Sequence, residues 1–410
     1  MTDRAAQGGA LIGVETKSPY SDRVCTPQET LERVAPLFVQ YGITRLARLT
    51  RLDCFDIPVW NAVRPNARSI AIHQGKGITD IDAKVSAAME ALERAVAEDL
   101  RVPSRTASRR ELSAEGLASH CLDCLVAAGQ NPIGEDSTIE WIEGEDLLDG
   151  QAIWVPRDAV SLDRTRPCRF WQSSDGLASG NTMQEAVFHG LLERIERDQE
   201  VLWKLAGPAR RAHSCLSAAS FDDGVVDALA ERIARRGFRL QLFDMTGDIG
   251  VPVIAALLAP MDGVGTPALR YIDVTHGSGA HPVAARAAIR AITEAVQSRL
   301  TLISGTRDDV PPALYGRALP SALKSDLALV PGHNRCADAG MQGLSSGAML
   351  ERLLGILRQR RLGPVIAVRL NRPQDGWAAA KLLMPSLENP EGARRQPFGG
   401  RAMKTALVFR

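Results

Sequence analysis

The sequence predicts an α+β fold, with β-sheets packed against long helices and three related strand–Gly loop–helix units. Three observations predict it. Short runs of alternating or continuous apolar residues read as strands, and longer stretches carry apolar residues at helical spacing. A Gly-containing loop joins a strand to a long helix three times, at intervals of about 100 residues, which is too wide for a solenoid repeat. Each of those helices also carries four polar residues at steps of four, four and three: Asp82, Ser86, Glu90, Glu93; then Glu185, His189, Glu193, Glu196; then Arg286, Arg290, Glu294, Gln297.

In chain order, residues 26–41 open on Thr26-Pro27 and place Leu31, Val34, Phe38 and Tyr41 on one face, so they read as an amphipathic helix stopped at Gly42. Residues 43–53 alternate like a strand with one buried face. The stretch Pro58–Pro65 reads as a loop and residues 67–74 as the next strand. Gly75-Lys76-Gly77 then turns the chain into a helix from Asp80 to Glu98. Residues 101–170 read as a connecting subdomain, with a helix near Arg109–Ala118, an acidic patch over Glu140–Asp149 and a strand over 151–160. A small-residue loop over 173–182 feeds a second helix, Met183 to about Trp203. Strands over 236–246 and 251–260 flank a Gly247–Gly250 turn, and residues 268–282 form a strand and Gly-rich turn before a third helix, Val283–Leu302. Beyond Pro311 come a helix near Met349–Gln359, a strand over 364–372 and a Pro/Gly-rich end.

At 410 residues the chain is long for one hydrophobic core. The division expected is one catalytic unit over 1–385, with approximate subdomains 15–100, 101–170, 171–310 and 311–385, and a tail over 386–410. The 49 Lys and Arg against 48 Asp and Glu leave a net charge of +1, which argues against duplex nucleic acid or an anionic membrane as partner. No run approaches the length of a membrane span and the N-terminus lacks the apolar run of a signal peptide, so a cytoplasmic protein is expected. Seven cysteines, scattered and odd in number, fit reduced thiols. Cys121 and Cys124 form a CxxC without a second ligand pair and read as structural or inert.

Steps of four, four and three keep four side chains within an arc of roughly 80° on a helix. If the three helices meet, their carboxylates converge, and such a set is stable only with cations among them. Mg²⁺ suits an all-oxygen set completed by water and phosphate, and Arg94, Arg197, Arg290 and Arg299 beside the same faces suit phosphate oxygens. The combined reading is Mg²⁺-nucleotide binding. On any one helix, Glu–Arg pairs are ordinary surface decoration; three matching helices favour function. The Gly loops at the helix starts could cradle phosphate, although no Walker A motif is present. No GxSxG occurs, which disfavours a serine hydrolase. Residues 304–309 could cap the third helix or project acids toward the site. His73, His276 and His281 flank the Gly loops as candidate acids or bases, although a lone His is more often structural.

The motifs over 75–94, 176–198 and 284–309, with the upstream stretch 26–45, resemble the YcaO superfamily over most of residues 15–385. The resemblance implies a YcaO-type fold whose three units converge on one ATP site, unrelated to P-loops or kinases, with Glu residues holding Mg²⁺ on the triphosphate. Carried over by motif position, Arg23, Thr30, Lys76, Ser86, Glu90, Asn181, Glu185, Arg197 and Gln297 would bind nucleotide. Glu93, Glu185, Glu193 and Glu196 would hold metal, and Arg197, Arg290 and Glu294 would serve the chemistry. That chemistry is ATP-dependent phosphorylation of a peptide amide oxygen, which makes it a leaving group. A neighbouring Cys, Ser or Thr of a ribosomal precursor peptide then gives an azoline, and sulfide gives a thioamide. Many azoline-forming members end in PxPxP; this sequence ends in PFGGRAMKTALVFR and shows no fused peptide-recognition domain. Its GITR (42–45) and AVRP (62–65) segments resemble the members that act beside a TfuA protein, the expected source of sulfur. The expectation is therefore thioamide formation by a homodimer with a TfuA-type partner, ahead of azoline formation. A non-catalytic nucleotide-binding accessory protein is the alternative of another class.

Overall fold

The computed structural model describes residues 20–261, 269–332, 334–390 and 392–408. The first helix, Pro27–Val34, starts from a capping box in which Thr26 and Glu29 satisfy each other's backbone N–H groups. Pro36 cannot donate the next helical hydrogen bond, so the chain tightens to a 3₁₀ turn, Ala35–Leu37, and the helix is shorter than expected. Gly42, at φ 70°, releases the chain into the first sheet.

Three antiparallel sheets follow. The first pairs Arg45–Arg48, Val59–Val63 and Ile72–Lys76 in that order. The stretch expected as a loop between Pro58 and Pro65 is thus its central strand, because both prolines fall outside the paired residues. The second sheet runs Ser104–Ala107, Ile139–Asp146, Ile366–Arg369, Ala378–Leu383, Leu177–Gly180, with Gln151–Pro156 also paired to Ile139–Asp146. The acidic patch is therefore a strand, with Glu140, Glu143 and Glu145 exposed while Trp141 and Ile142 are buried. The third sheet runs Thr275–Ala280, Val253–Pro260, Phe238–Asp244, Cys215–Leu216.

Each sheet ends in an edge strand that feeds a long helix. Ile72–Lys76 leads to Asp80–Glu98, Leu177–Gly180 to Met183–Leu205, and Thr275–Ala280 to Ala284–Ser304. These helices close a ring. Each packs on its own strand and on the next one: the first helix on Leu177–Gly180, the second on Thr275–Ala280, the third on Ile72–Lys76.

The glycines serve this packing. Residues 72–76 and 275–280 are paired strands and not phosphate-cradling loops. A Cβ at Gly75 would strike the backbone of Ala83 and Ala87, and one at Gly277 the backbone of Ala291 and Ala295. The strands lie so close to the helices that only glycine fits.

Thr79 caps the first long helix and Thr182 the second; the third, which starts at Val283 without a side-chain cap of its own, receives Asp338 Oδ1 on the N–H of Ala284 (2.6 Å). The apolar faces of the three helices sit in separate cores. Leu92 and Val96 join one, Phe188, Leu191 and Ile195 a second, Ile292 and Val296 a third. With three cores fixing three helices, the polar faces are left to meet in the middle. Among the described residues no helix is long and apolar enough to cross a membrane.

Candidate functional site

The polar faces line one cleft of about 460 Å³. Asp82, Ser86, Glu90 and Glu93 come from the first long helix, His189, Glu193, Glu196 and Arg197 from the second, and Arg286, Arg290, Glu294 and Gln297 from the third. Arg23 and Thr30 line it from the N-terminal segment, Lys76 from the first sheet, and Asn181 from the start of the second helix. Of the site residues carried over by motif position, Glu185 is the one that does not line it.

The last position of each four-residue set reaches the next strand of the ring. Glu93 faces Ser179. Glu196 accepts from Ser278 Oγ (2.7 Å) and the N–H of Ala280 (3.0 Å), and Gln297 Nε2 donates to the carbonyl of Gln74 (3.0 Å). The periodicity that suggested a site therefore also joins the three units.

Glu185 is fully buried and saturated. Its carboxylate accepts from the N–H groups of Val24 and Asn181, from Asn181 Nδ2 and from Arg23 Nη1. It thus fastens residues 21–25 across the cleft. Arg23 Nη1 also donates to the carbonyl of Ser179 (2.9 Å), and Thr30 Oγ1 to Asn181 Oδ1 (3.0 Å).

One end of the cleft is acidic. Burial first, then the neighbouring Glu90 and Glu193 carboxylates, push the Glu93 carboxyl well above the usual range. Burial raises Glu193 to about 7, Arg197 offsetting part of it while Asp175 and Glu196 add to it. Arg197 lies at the centre, 3.4–3.8 Å from Asp175, Glu193, Glu196 and Glu200. Lys76 Nζ stands 2.5 Å from Glu294 Oε2. Burial would raise the Glu294 carboxyl, but Lys76 and then Arg197 outweigh it and hold it below its usual range.

The other end is basic. Asp22 is clamped by His281 Nε2 (2.8 Å) and by Arg286 Nη1; His281 Nδ1 accepts from the N–H of Val283, so its Nε2 carries the proton that bonds Asp22. Arg290 Nε is buried without a hydrogen-bond partner, as are both ring nitrogens of His189. Burial, then Arg23 and Arg290, push the His189 imidazole well below its ordinary value, so it is neutral.

Several expectations are corrected here. Arg299 stacks on Phe238, 4.6 Å from its ring centre, and lies outside the cleft. Arg94 is engaged by Glu90 (3.2 Å) and Ser174 Oγ (3.1 Å). Gly305, at φ 58°, ends the third helix, while Arg307 and Asp309 pair with each other and do not line the cleft. His73 is fully buried with neither nitrogen bonded, and burial holds it neutral. Cys121 and Cys124 are free thiols that burial pushes up. Asp22 went unnoticed as a site residue, since His281 and Arg286 lie about 260 residues along the chain and no local pattern signals it.

The family model described as YcaO cyclodehydratase, ATP- and Mg²⁺-binding, matches residues 74–388. An uncharacterized protein in the tfuA 3′ region of Rhizobium leguminosarum bv. trifolii is 38% identical over 395 residues, covering 95% of this chain and 94% of that protein. A heterocyclase solved in complex with substrate and cofactor shares the fold with a TM-score of 0.73 at 21% identity, over 90% of this chain and 53% of that one. YcaO from Methanopyrus kandleri, solved with AMPPCP and Mg²⁺, shares it with a TM-score of 0.68 at 23% identity, over 92% of this chain and 97% of that one.

Proposed function

Because the chain belongs to the YcaO family, we propose that its cleft takes Mg²⁺ and ATP and phosphorylates a peptide amide oxygen, a thioamide being the product. The observation that carries this reading is the buried acidic end. Burial first, with neighbouring carboxylates adding to it, pushes up the carboxyls of Glu93 and Glu193 even though Arg94 and Arg197 offset part of the rise, and the donor atoms there are oxygens. That set fits Mg²⁺. The described residues hold no group of three or more His, Cys, Asp or Glu placed to hold a metal ion by themselves, so an ion there would share the carboxylates with substrate phosphates and water.

In this reading Glu93, Glu193 and Glu196 would hold the metal, and Ser86, Glu90, Asn181, Thr30 and Gln297 would contact nucleotide. Bound Mg·ATP would supply the phosphoryl group and the positive charge that the carboxylates lack. The chain's own residues do the rest. Arg197, which spans four carboxylates, would direct donors to phosphate oxygens, and Arg290 brings a cation with an unsatisfied Nε to the other end of the same cleft. Lys76 holds Glu294 ionised, which lets Glu294 accept a proton from a nucleophile or position Lys76 against charge developing on the amide oxygen. Glu185 keeps Arg23 and Asn181 in place instead of ligating metal.

A TfuA-type partner as sulfur donor is supported by the relative named for its position beside tfuA. Azoline formation is the second reading, favoured by the cyclodehydratase description of the family. Intact mass of candidate peptides after incubation with ATP, sulfide and the partner separates the two: a gain of about 16 Da is oxygen replaced by sulfur, and a loss of about 18 Da is cyclodehydration. ATP consumption without either change would favour a different substrate, and Mg·ATP binding without turnover would favour the accessory protein. A homodimer is the expected acting form, which light scattering checks.

A further inference from the structure

Behind the second long helix, on the side away from the cleft, lies a buried network that the proposed chemistry does not use. Asp198 follows Glu196 by two residues, about 200° round the helix, and its side chain is fully buried. Arg401, on the helix Gly400–Val408, grips it with a fork: Nε to Oδ1 and Nη2 to Oδ2, both 2.9 Å. The N–H of Glu388 (2.8 Å) and Gln199 Nε2 (2.8 Å) complete the carboxylate's hydrogen bonds. The same guanidinium forks onto Asp248 at 3.0 and 2.7 Å. Asp248 sits in the turn between strands Phe238–Asp244 and Val253–Pro260, in the third sheet. Glu388 in turn accepts from the N–H groups of Gly399 and Ala402, which fixes the start of the helix that carries Arg401.

The arrangement mirrors the front of the cleft. There, Glu196 ties the second helix to the third sheet through Ser278 and Ala280. At the back, Arg401 ties the same helix to the same sheet through Asp198 and Asp248. The two bridges bracket the residues that carry Glu193, Glu196 and Arg197. A helix held from one side can roll; one held from both sides presents its carboxylates in a single orientation, which a metal site needs.

We infer that Arg401 is a positioning residue for the cleft carboxylates of the second helix, acting through Asp198 and Asp248 from the far face. The inference rests on the proposed Mg·ATP role of the cleft. Arg401→Ala leaves a buried carboxylate unpaired and lowers the melting temperature. The double variant Arg401→Ala/Asp198→Asn removes that charge, so stability recovers while the back bridge stays broken. The test is calorimetry of Mg·ATP binding, with hydrogen exchange of the metal-free protein, on the full chain. A positioning role predicts Mg·ATP affinity about tenfold weaker in both variants, and faster exchange over residues 193–200 and at Ala280. Wild-type affinity in the double variant, or faster exchange confined to 388–402, would overturn it and leave Arg401 as a local latch. A wild-type chain that takes up no Mg·ATP would overturn the nucleotide reading instead, a result obtained before any substitution is made.

Discussion

The two ends of the cleft handle buried charge in opposite ways. At the acidic end, carboxylates from two helices crowd one arginine, and burial with mutual repulsion raises Glu93 and Glu193. At the basic end, a carboxylate from residues 20–25 is supplied to the cations: Asp22 sits between His281 and Arg286, and although burial would raise its carboxyl, those partners hold it below its usual value. At the basic end one carboxylate is shared by two cationic partners, whereas at the acidic end four carboxylates share Arg197. That difference marks where a divalent cation would enter, more sharply than any count of acidic residues could.

Breaking the acidic end should have the largest effect. Glu93→Gln and Glu196→Gln are each expected to cut peptide-dependent phosphate release by at least about a hundredfold, because each removes a proposed metal ligand and a tie to the neighbouring strand. Unchanged rates in both would remove the metal-site assignment. Arg290→Ala, at the other end, should weaken Mg·ATP binding by about tenfold, the worth of one charge-assisted contact to phosphate. Its dependence on Mg²⁺ concentration should stay that of the wild type when titrated by calorimetry. If that dependence were lost as well, the two ends would not be separable.

Much of this division was readable from the residues. The 4-4-3 spacing follows from helical geometry alone, and it correctly put Glu90, Glu93, Glu193, Glu196, Arg290 and Glu294 on faces that line one cleft. The errors have one cause: local pattern cannot tell which distant segment a residue meets. Gly75 and Gly277 looked like loop residues because glycine usually marks turns, yet both are strand positions pressed against a helix backbone. Arg299 shares the third helix with Arg290, but its step of nine residues turns it toward Phe55 and Phe238. Glu185 has the spacing of a ligand and the environment of a fastener, because Arg23 and Val24 reach it from about 160 residues away in sequence. The bridge from Arg401 to Asp198 had no signal, since a lone Arg in a polar tail resembles any other.

The smallest expected effect contrasts the two ends most directly, through pH. Glu193 has a folded value of about 7 against an ordinary 4.5. The folded state then binds the extra proton, so this stabilising contribution is complete below about 4.5 and is lost as pH rises through about 7. Asp22 is lowered from 3.8, so its contribution is present above that value and is lost as pH falls toward the folded one. In EDTA the melting temperature should therefore fall by a few degrees between about pH 5.5 and 8. Mg²⁺ should reverse the fall, because a cation beside Glu193 stabilises its ionised form, and Glu193→Gln should reduce it, leaving the part that the raised Glu93 contributes. Asp22→Asn should leave that arm intact and reduce only the loss on the acid side. A melting temperature constant from pH 5.5 to 8 in EDTA would show that the acidic end already holds its charges in balance, and the proposed point of entry for the cation would lose its physical basis.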